Sequence, residues 1–272
     1  MRHYSITPKE MLGSFWFNRK LINTLVKREV VGRYRGSVMG MMWSFFNPVL
    51  MLAVYTFVFS VVFKARWNVG SDSKTEFALV LFAGLLVFNL FSECINRAPT
   101  LILANTNYVK KVVFPLEILP WVILGTAMFH MIISFVAWLI FYMIFFGQPH
   151  LTILLFPVII FPLILFTMGV TWLLTSLGVY LRDVVQVVGI LTTTLMFLSP
   201  IFYPIASLPL QYQRILYLNP LTVILEQARG VLIWGQPPNY ETLGAILIMS
   251  IIVFWVGFAW FQKTRKGFAD VL

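Results

Sequence analysis

At 272 residues the chain has the length of one or two soluble domains, but 60% of it is hydrophobic and only 11% charged, with a mean hydropathy of +0.86. A soluble domain carries about a quarter of its residues as charges because its surface must be wet. That class is excluded, and the surface is expected to face lipid. The formal charge of +10 sits mainly near the ends, which suits membrane orientation and an anionic leaflet. No stretch is long enough to fold as a soluble module presenting a basic face to nucleic acid. A single cysteine, Cys94, excludes an internal disulfide, and no zinc-ligand spacing occurs.

The first segment holds Arg2, Lys9, Arg19, Lys20, Lys27, Arg28, Arg33 and Arg35 and lacks the apolar core of a cleavable leader. Its Leu12, Phe15, Ile22, Val26 and Val30 fall on one helical face, interrupted by Arg19. With Trp16 and Phe17 beside it, this pattern predicts a helix lying flat in the cytoplasmic interface; the alternative is a solvated basic leader that orients the first span. Gly32, Gly36 and Gly40 follow at intervals of four, a spacing that lets helices approach closely.

Spans are placed by charge-free apolar runs long enough to cross roughly 30 Å of hydrocarbon. The first lies between Arg35 and Lys64 and is expected to kink at Asn47-Pro48. The second runs from Phe77 to Ser92, with room to continue past Glu93 and Arg97 to Leu103. No Asp, Glu, Lys or Arg occurs between Glu117 and Arg182, a run that fits two spans split at Gly147-Gln148-Pro149-His150. The fifth begins near Val184 and weakens at Ser199-Pro200; the sixth runs from Thr242 to Gln262. Between them Tyr203–Tyr240 is too polar for an ordinary span and too apolar for a plain loop. With the N-terminus cytoplasmic, the inside holds the eight basic residues of the first segment with Lys110, Lys111, Arg182, Lys263, Arg265 and Lys266. The outside holds only Lys64, Arg66, Lys74, Arg214 and Arg229. Both ends are therefore expected in the cytoplasm.

The chain contains no phosphate-binding G-x-x-x-x-G-K-[ST] loop, no H-E-x-x-H and no G-x-S-x-G. His130 lies mid-span, where an ionisable group is either functional or hydrogen-bonded across a helix interface. Glu93 and Arg97, four apart, share a helix face; they line an entrance or satisfy each other. An ion-driven carrier would want a midplane carboxylate and repeated halves, and neither is found from Ile118 to Leu181. Aromatic residues make up 17% of the chain. Of these Tyr55, Phe59, Phe197, Phe202 and Tyr203 either pack or offer flat rings to the apolar faces of sugars.

Four segments together carry a resemblance. They are Val26–Gly40 followed by Trp43–Pro48; Asn105–Pro115 with Leu116–Pro120; Leu181–Asp183 with Leu198–Pro204; and Leu218–Leu221 through Glu226, Arg229 and Gly230, with the tail Phe268–Leu272. In this order they resemble the permease subunit of type-2 ABC exporters of polysaccharides and teichoic acids. The type most similar is the O-antigen exporter permease (Wzm type), with teichoic-acid and capsule permeases as relatives.

The resemblance implies an all-α polytopic membrane protein: a cytoplasmic interface helix over 1–35, six transmembrane helices over 36–262 with re-entrant helices at about 204–240, and a cytoplasmic tail over 263–272. It further implies an inner-membrane homodimer working with two separate ABC ATPase subunits, which hold the ATP and Mg while this chain binds no cofactor. The substrate would be a lipid-linked glycan. Asn105, Asn107, Tyr108, Lys110 and Lys111 would couple to the ATPase. Arg28, Arg33 and Arg35 would stand at the cytoplasmic entrance, or simply set topology. Tyr55, Phe59, Phe197 and Tyr203 would line the channel, and Glu226 and Arg229 would belong to the outer gate. The competing classes are an ion-coupled secondary transporter and a membrane-embedded glycan-modifying enzyme.

Overall fold

The computed structural model describes residues 6–58, 67, 74–110 and 114–272. Among these the regular structure is helical, with no strand. The Thr7 hydroxyl accepts the Glu10 amide at 3.4 Å and Pro8 takes the first turn, opening α1, Pro8–Phe17. Asn18 ends it by turning its amide back onto the Ser14 carbonyl at 2.8 Å, and α2, Arg19–Tyr34, begins afresh. The apolar face expected from Leu12 to Val30, with Arg19 interrupting it, is therefore divided between two helices. α2 buries Ile22 and Leu25 against Ile118 and Val122, whereas α1 leaves Leu12, Trp16 and Phe17 exposed. α1 retains the larger share of the uncovered apolar side chains that an interfacial helix needs, with Leu21 and Val31 of α2 also exposed.

Gly36 and Gly40 have φ of 85° and 52°, backbone that only glycine adopts without strain. Two of the three regularly spaced glycines thus bend the chain into the first span and do not form a helix contact. After Gly40–Met42, α3 runs Trp43–Tyr55 with Pro48 inside it. α4 is Lys74–Arg97, α5 Leu101–Ala104, α6 Thr106–Lys110, α7 Leu119–Phe146 and α8 Phe156–Tyr180. Gly147, with φ 79°, closes α7 at the expected turn. α9 is Val184–Leu198, α10 Leu210–Leu216, α11 Pro220–Leu232, α12 Tyr240–Thr264 and α13 Phe268–Val271.

Among the described residues five segments are long and apolar enough to cross a membrane: Gly40–Val58, Thr75–Ala104, Leu116–Phe146, Leu151–Tyr180 and Tyr240–Val271. The remaining expected span, α9, is helical over only 15 residues, about 22 Å at 1.5 Å per residue and short of the hydrocarbon thickness. It stops at Ser199 because Pro200 cannot extend it. The chain is an integral membrane protein.

α4 is the central helix. From Phe77 to Phe91 every residue is buried except Asn89, with α3, α7, α8, α9 and α11 packed around it. Trp138 of α7 pins the pair by donating its indole N–H to the Leu79 carbonyl at 3.0 Å. α8 and α12 cross closest at Gly169 and Gly257, where a Cβ on Gly257 would lie 2.0 Å from the Gly169 carbonyl oxygen. Hydrocarbon is as apolar as a leucine side chain, so such close packing is what holds spans together.

The awkward Tyr203–Tyr240 stretch resolves into α10 and α11. The Asn219 side chain caps α11 by accepting the Leu221 amide at 3.0 Å, and α11 buries Leu221, Ile224, Leu225, Ala228 and Leu232 against α4 and α8. α10 stays on the surface, with Leu210 and Ile215 exposed, as is Leu218 just after it.

Candidate functional site

Three clusters of polar residues interrupt the apolar body. In the first, Asn105 separates α5 from α6, its amide donating to the Leu101 carbonyl at 2.9 Å. Tyr108 of α6 stacks on Phe114, centroids 4.2 Å apart and planes within 9°, and its hydroxyl accepts from Arg28 of α2 at 2.9 Å. Asn107 and Lys110 face outward, and Lys110 also bonds the Leu272 carbonyl. Lys111 lies outside the described residues. α6 is thereby fixed to the base of α7 while keeping an exposed polar edge.

That base is stiffened by residues that no motif or spacing singles out. The Glu117 carboxylate pairs with Arg265 after α12 and accepts the Ser14 hydroxyl of α1 at 3.1 Å. Arg265 also donates to the Phe114 carbonyl at 2.9 Å, and Trp172 of α8 donates to the Glu117 carbonyl at 3.1 Å. One junction therefore joins α1, α7, α8 and the end of α12 to the peptide that carries α6.

The second cluster centres on Glu93. Its carboxylate meets Arg33 at 2.7 Å, His130 Nδ1 at 2.9 Å and Arg97 at 3.6 Å, while Arg97 also pairs with Glu29 of α2. The Tyr34 hydroxyl lies 3.3 Å from His130 Nε2. Burial raises the Tyr34 phenol above its ordinary value, so it stays protonated and can donate to the ring. Glu93 and Arg97 do share a face, but the stronger partner of Glu93 comes from α2. Of the three entrance candidates, Arg33 joins this network, Arg28 belongs to the α6 junction, and Arg35 is exposed at the end of α2.

Above the network a cavity of about 430 Å³ opens between α2, α3, α4 and α7. Its α4 wall follows one helical face: Phe82, Leu85 and Leu86 at one end, Asn89, Glu93 and Asn96 at the other. Asn47 and Tyr55 of α3 stand opposite. Of the other expected channel residues, Phe59 lies outside the described residues. Phe197 is 60% exposed, and the Tyr203 hydroxyl donates to the carbonyls of Phe197 and Leu198 at 3.3 and 3.2 Å. Phe197 is in the last turn of α9 and Tyr203 in the turn that follows, the Phe197 ring 5.7 Å from that of Phe202. Neither lines the cavity that holds Tyr55.

The third cluster surrounds Arg229, which is fully buried and 2.8 Å from Glu226. Its guanidinium donates to the carbonyls of Val80 at 3.2 Å and Ile201 at 2.9 Å, and to that of Pro200. It lies 4.3 Å over the Trp67 ring. Gly84 of α4 makes room for it, since a Cβ there would come within 2.7 Å of a guanidinium nitrogen. Arg229 is a latch joining α11, α4 and the turn after α9. Among the described residues no group of three or more His, Cys, Asp or Glu is placed to hold a metal.

Residues 20–233 match the family described as ABC-2 type transporter. The chain is 30% identical over 254 residues to the O-antigen export system permease protein RfbA of Myxococcus xanthus, covering 93% of this chain and 95% of that one. It is 26% identical over 253 residues to a protein of the same name from Klebsiella pneumoniae, again covering 93% and 95%. With the polysialic acid transport protein KpsM of Escherichia coli it shares 24% identity over 263 residues, 94% of this chain and 97% of that one. An apolar helical body that spans the membrane, matched from α2 through α11 and along nearly its whole length to transport permeases, belongs to the ABC-2 type transporter membrane family.

Proposed function

We propose that two copies of this chain form the membrane conduit of an ATP-driven exporter, carrying a lipid-linked polysaccharide of O-antigen or capsule type outward across the cytoplasmic membrane. The energy comes from a separate pair of ABC ATPase subunits. Relatives named for O-antigen and polysialic acid export support the substrate class. α9 together with the turn that follows it makes the sixth crossing; α10 and α11 turn back into the outer half of the membrane, a reading supported by the burial of α11 against the spans α4 and α8. Irregular backbone at that depth survives only where protein covers it. Both termini are cytoplasmic.

The observation that carries this reading is α6. It is short, exposed along one polar edge and fixed through Tyr108 to both Phe114 and Arg28, so a push from a closing ATPase passes directly to α7 and α2. Tyr108→Ala removes the stack and the hydrogen bond together. Export by the assembled complex should then fall roughly tenfold while ATP hydrolysis and complex assembly persist. Unchanged export would remove α6 as the lever.

Orientation is tested separately. With Cys94 replaced, Gln148→Cys should react with an impermeant thiol reagent from outside and Lys266→Cys only after permeabilisation. The opposite pattern would invert the whole assignment.

A further inference from the structure

The cavity between α2, α3, α4 and α7 has a chemistry that membrane packing alone does not explain. Asn89 is the single exposed residue in a fifteen-residue buried run of α4, and Asn47 is exposed opposite it on α3. Neither carboxamide is hydrogen-bonded to any described residue. A polar amide left unpaired at membrane depth costs free energy, and two of them facing one cavity supply four hydrogen-bonding groups of both polarities. Tyr55 and Phe82 add aromatic surface to the same wall. A volume of about 430 Å³ is within the range of small-molecule pockets.

The charges at the cavity floor limit what can bind. Glu93 is matched by Arg33 at 2.7 Å, with His130 at 2.9 Å and Arg97 at 3.6 Å, and Arg97 is matched again by Glu29. The two guanidinium groups are thus answered by two carboxylates within the chain, leaving no surplus positive charge for a phosphate or an acidic sugar. Unpaired carboxamides, an aromatic wall and a self-neutralised floor fit vicinal hydroxyls on a ring with apolar faces.

We propose that this cavity is a subsite for one uncharged sugar residue of the transported glycan, bound through Asn47 and Asn89 with Tyr55 beside it. The lipid pyrophosphate is held elsewhere. This rests on the exporter reading above.

The test uses the complete permease–ATPase complex in nanodiscs and two fluorescent probes: a polyprenyl pyrophosphate bearing a neutral hexose disaccharide, and the same polyprenyl pyrophosphate without sugar. The unaltered complex should bind the disaccharide probe more tightly. In Asn89→Leu and Asn47→Leu the leucine is close to asparagine in size and suits a helix among apolar neighbours. Each should weaken binding of the disaccharide probe roughly three- to tenfold, and together they should erase its advantage. Binding of the sugar-free probe should not change, which also shows that the variants are folded. An advantage that survives the double substitution would overturn the subsite and leave the cavity a water-filled vestibule. If the unaltered complex bound neither probe, the exporter reading would fall and the subsite with it.

Discussion

Arg229→Met is expected to give a protein that no longer holds α11 against α4 and the turn after α9. The guanidinium is fully buried and donates to Val80, Pro200 and Ile201 as well as Glu226. Methionine fills the volume but removes the donor from the Pro200 and Ile201 carbonyls and the Glu226 carboxylate, and an unsatisfied buried acceptor costs about 1–3 kcal/mol. Partial rehydration reduces the sum, so a net loss of about 3–5 kcal/mol is expected, the range for breaking a buried charged pair by removing one member. Lysine keeps the charge but cannot reach three carbonyls and a carboxylate in one plane, so Arg229→Lys should recover only part of the loss. Gly84→Val should reproduce the defect from the other side, because its side chain would collide with the guanidinium. Thermal unfolding of the purified proteins in detergent decides the matter. A wild-type midpoint for Arg229→Met would show that the latch is dispensable.

Glu93→Ala should have the next largest effect. It removes the acceptor shared by Arg33, His130 and Arg97 and leaves two guanidinium groups near one another with only Glu29 to answer them. Because the Arg33 side chain is 39% exposed, water screens part of the penalty, and about 2–3 kcal/mol is expected against the larger values of fully buried pairs. Arg33→Ala should partly rescue Glu93→Ala by removing the orphaned charge. In a double-mutant cycle the two should couple by about 1–2 kcal/mol; strictly additive losses in thermal unfolding would dissolve the network into unrelated contacts.

The helical body was legible because apolar run length is a one-dimensional property. The turn at Gly147 and the stop at Pro200 fell where residue chemistry put them. Long-range pairing was not legible. Nothing local joins Glu93 to Arg33, 60 residues away, or Glu117 to Arg265, 148 away; the nearer i+4 partner, Arg97, drew the reading instead. The three-residue spacing pairs Arg229 with Glu226, but the burial of Arg229 was not legible, since it depends on a glycine on α4 and carbonyls freed by the turn after α9. The regular glycine spacing before α3 suggested a helix contact, since sequence spacing does not reveal φ. Asn89 needed both kinds of information: its polarity was visible in the sequence, but its solitude on a buried helix appears only in the fold.

The most direct measurement is outward movement of a lipid-linked polysaccharide in proteoliposomes containing this chain with its ABC ATPase. Movement should require ATP, stop when the catalytic glutamate of the ATPase is replaced, and continue when a protonophore collapses the ion gradient. The chain reconstituted alone should neither hydrolyse ATP nor move the glycan. Transport that persists without the ATPase and stops with the protonophore would contradict the account and make the protein a secondary carrier.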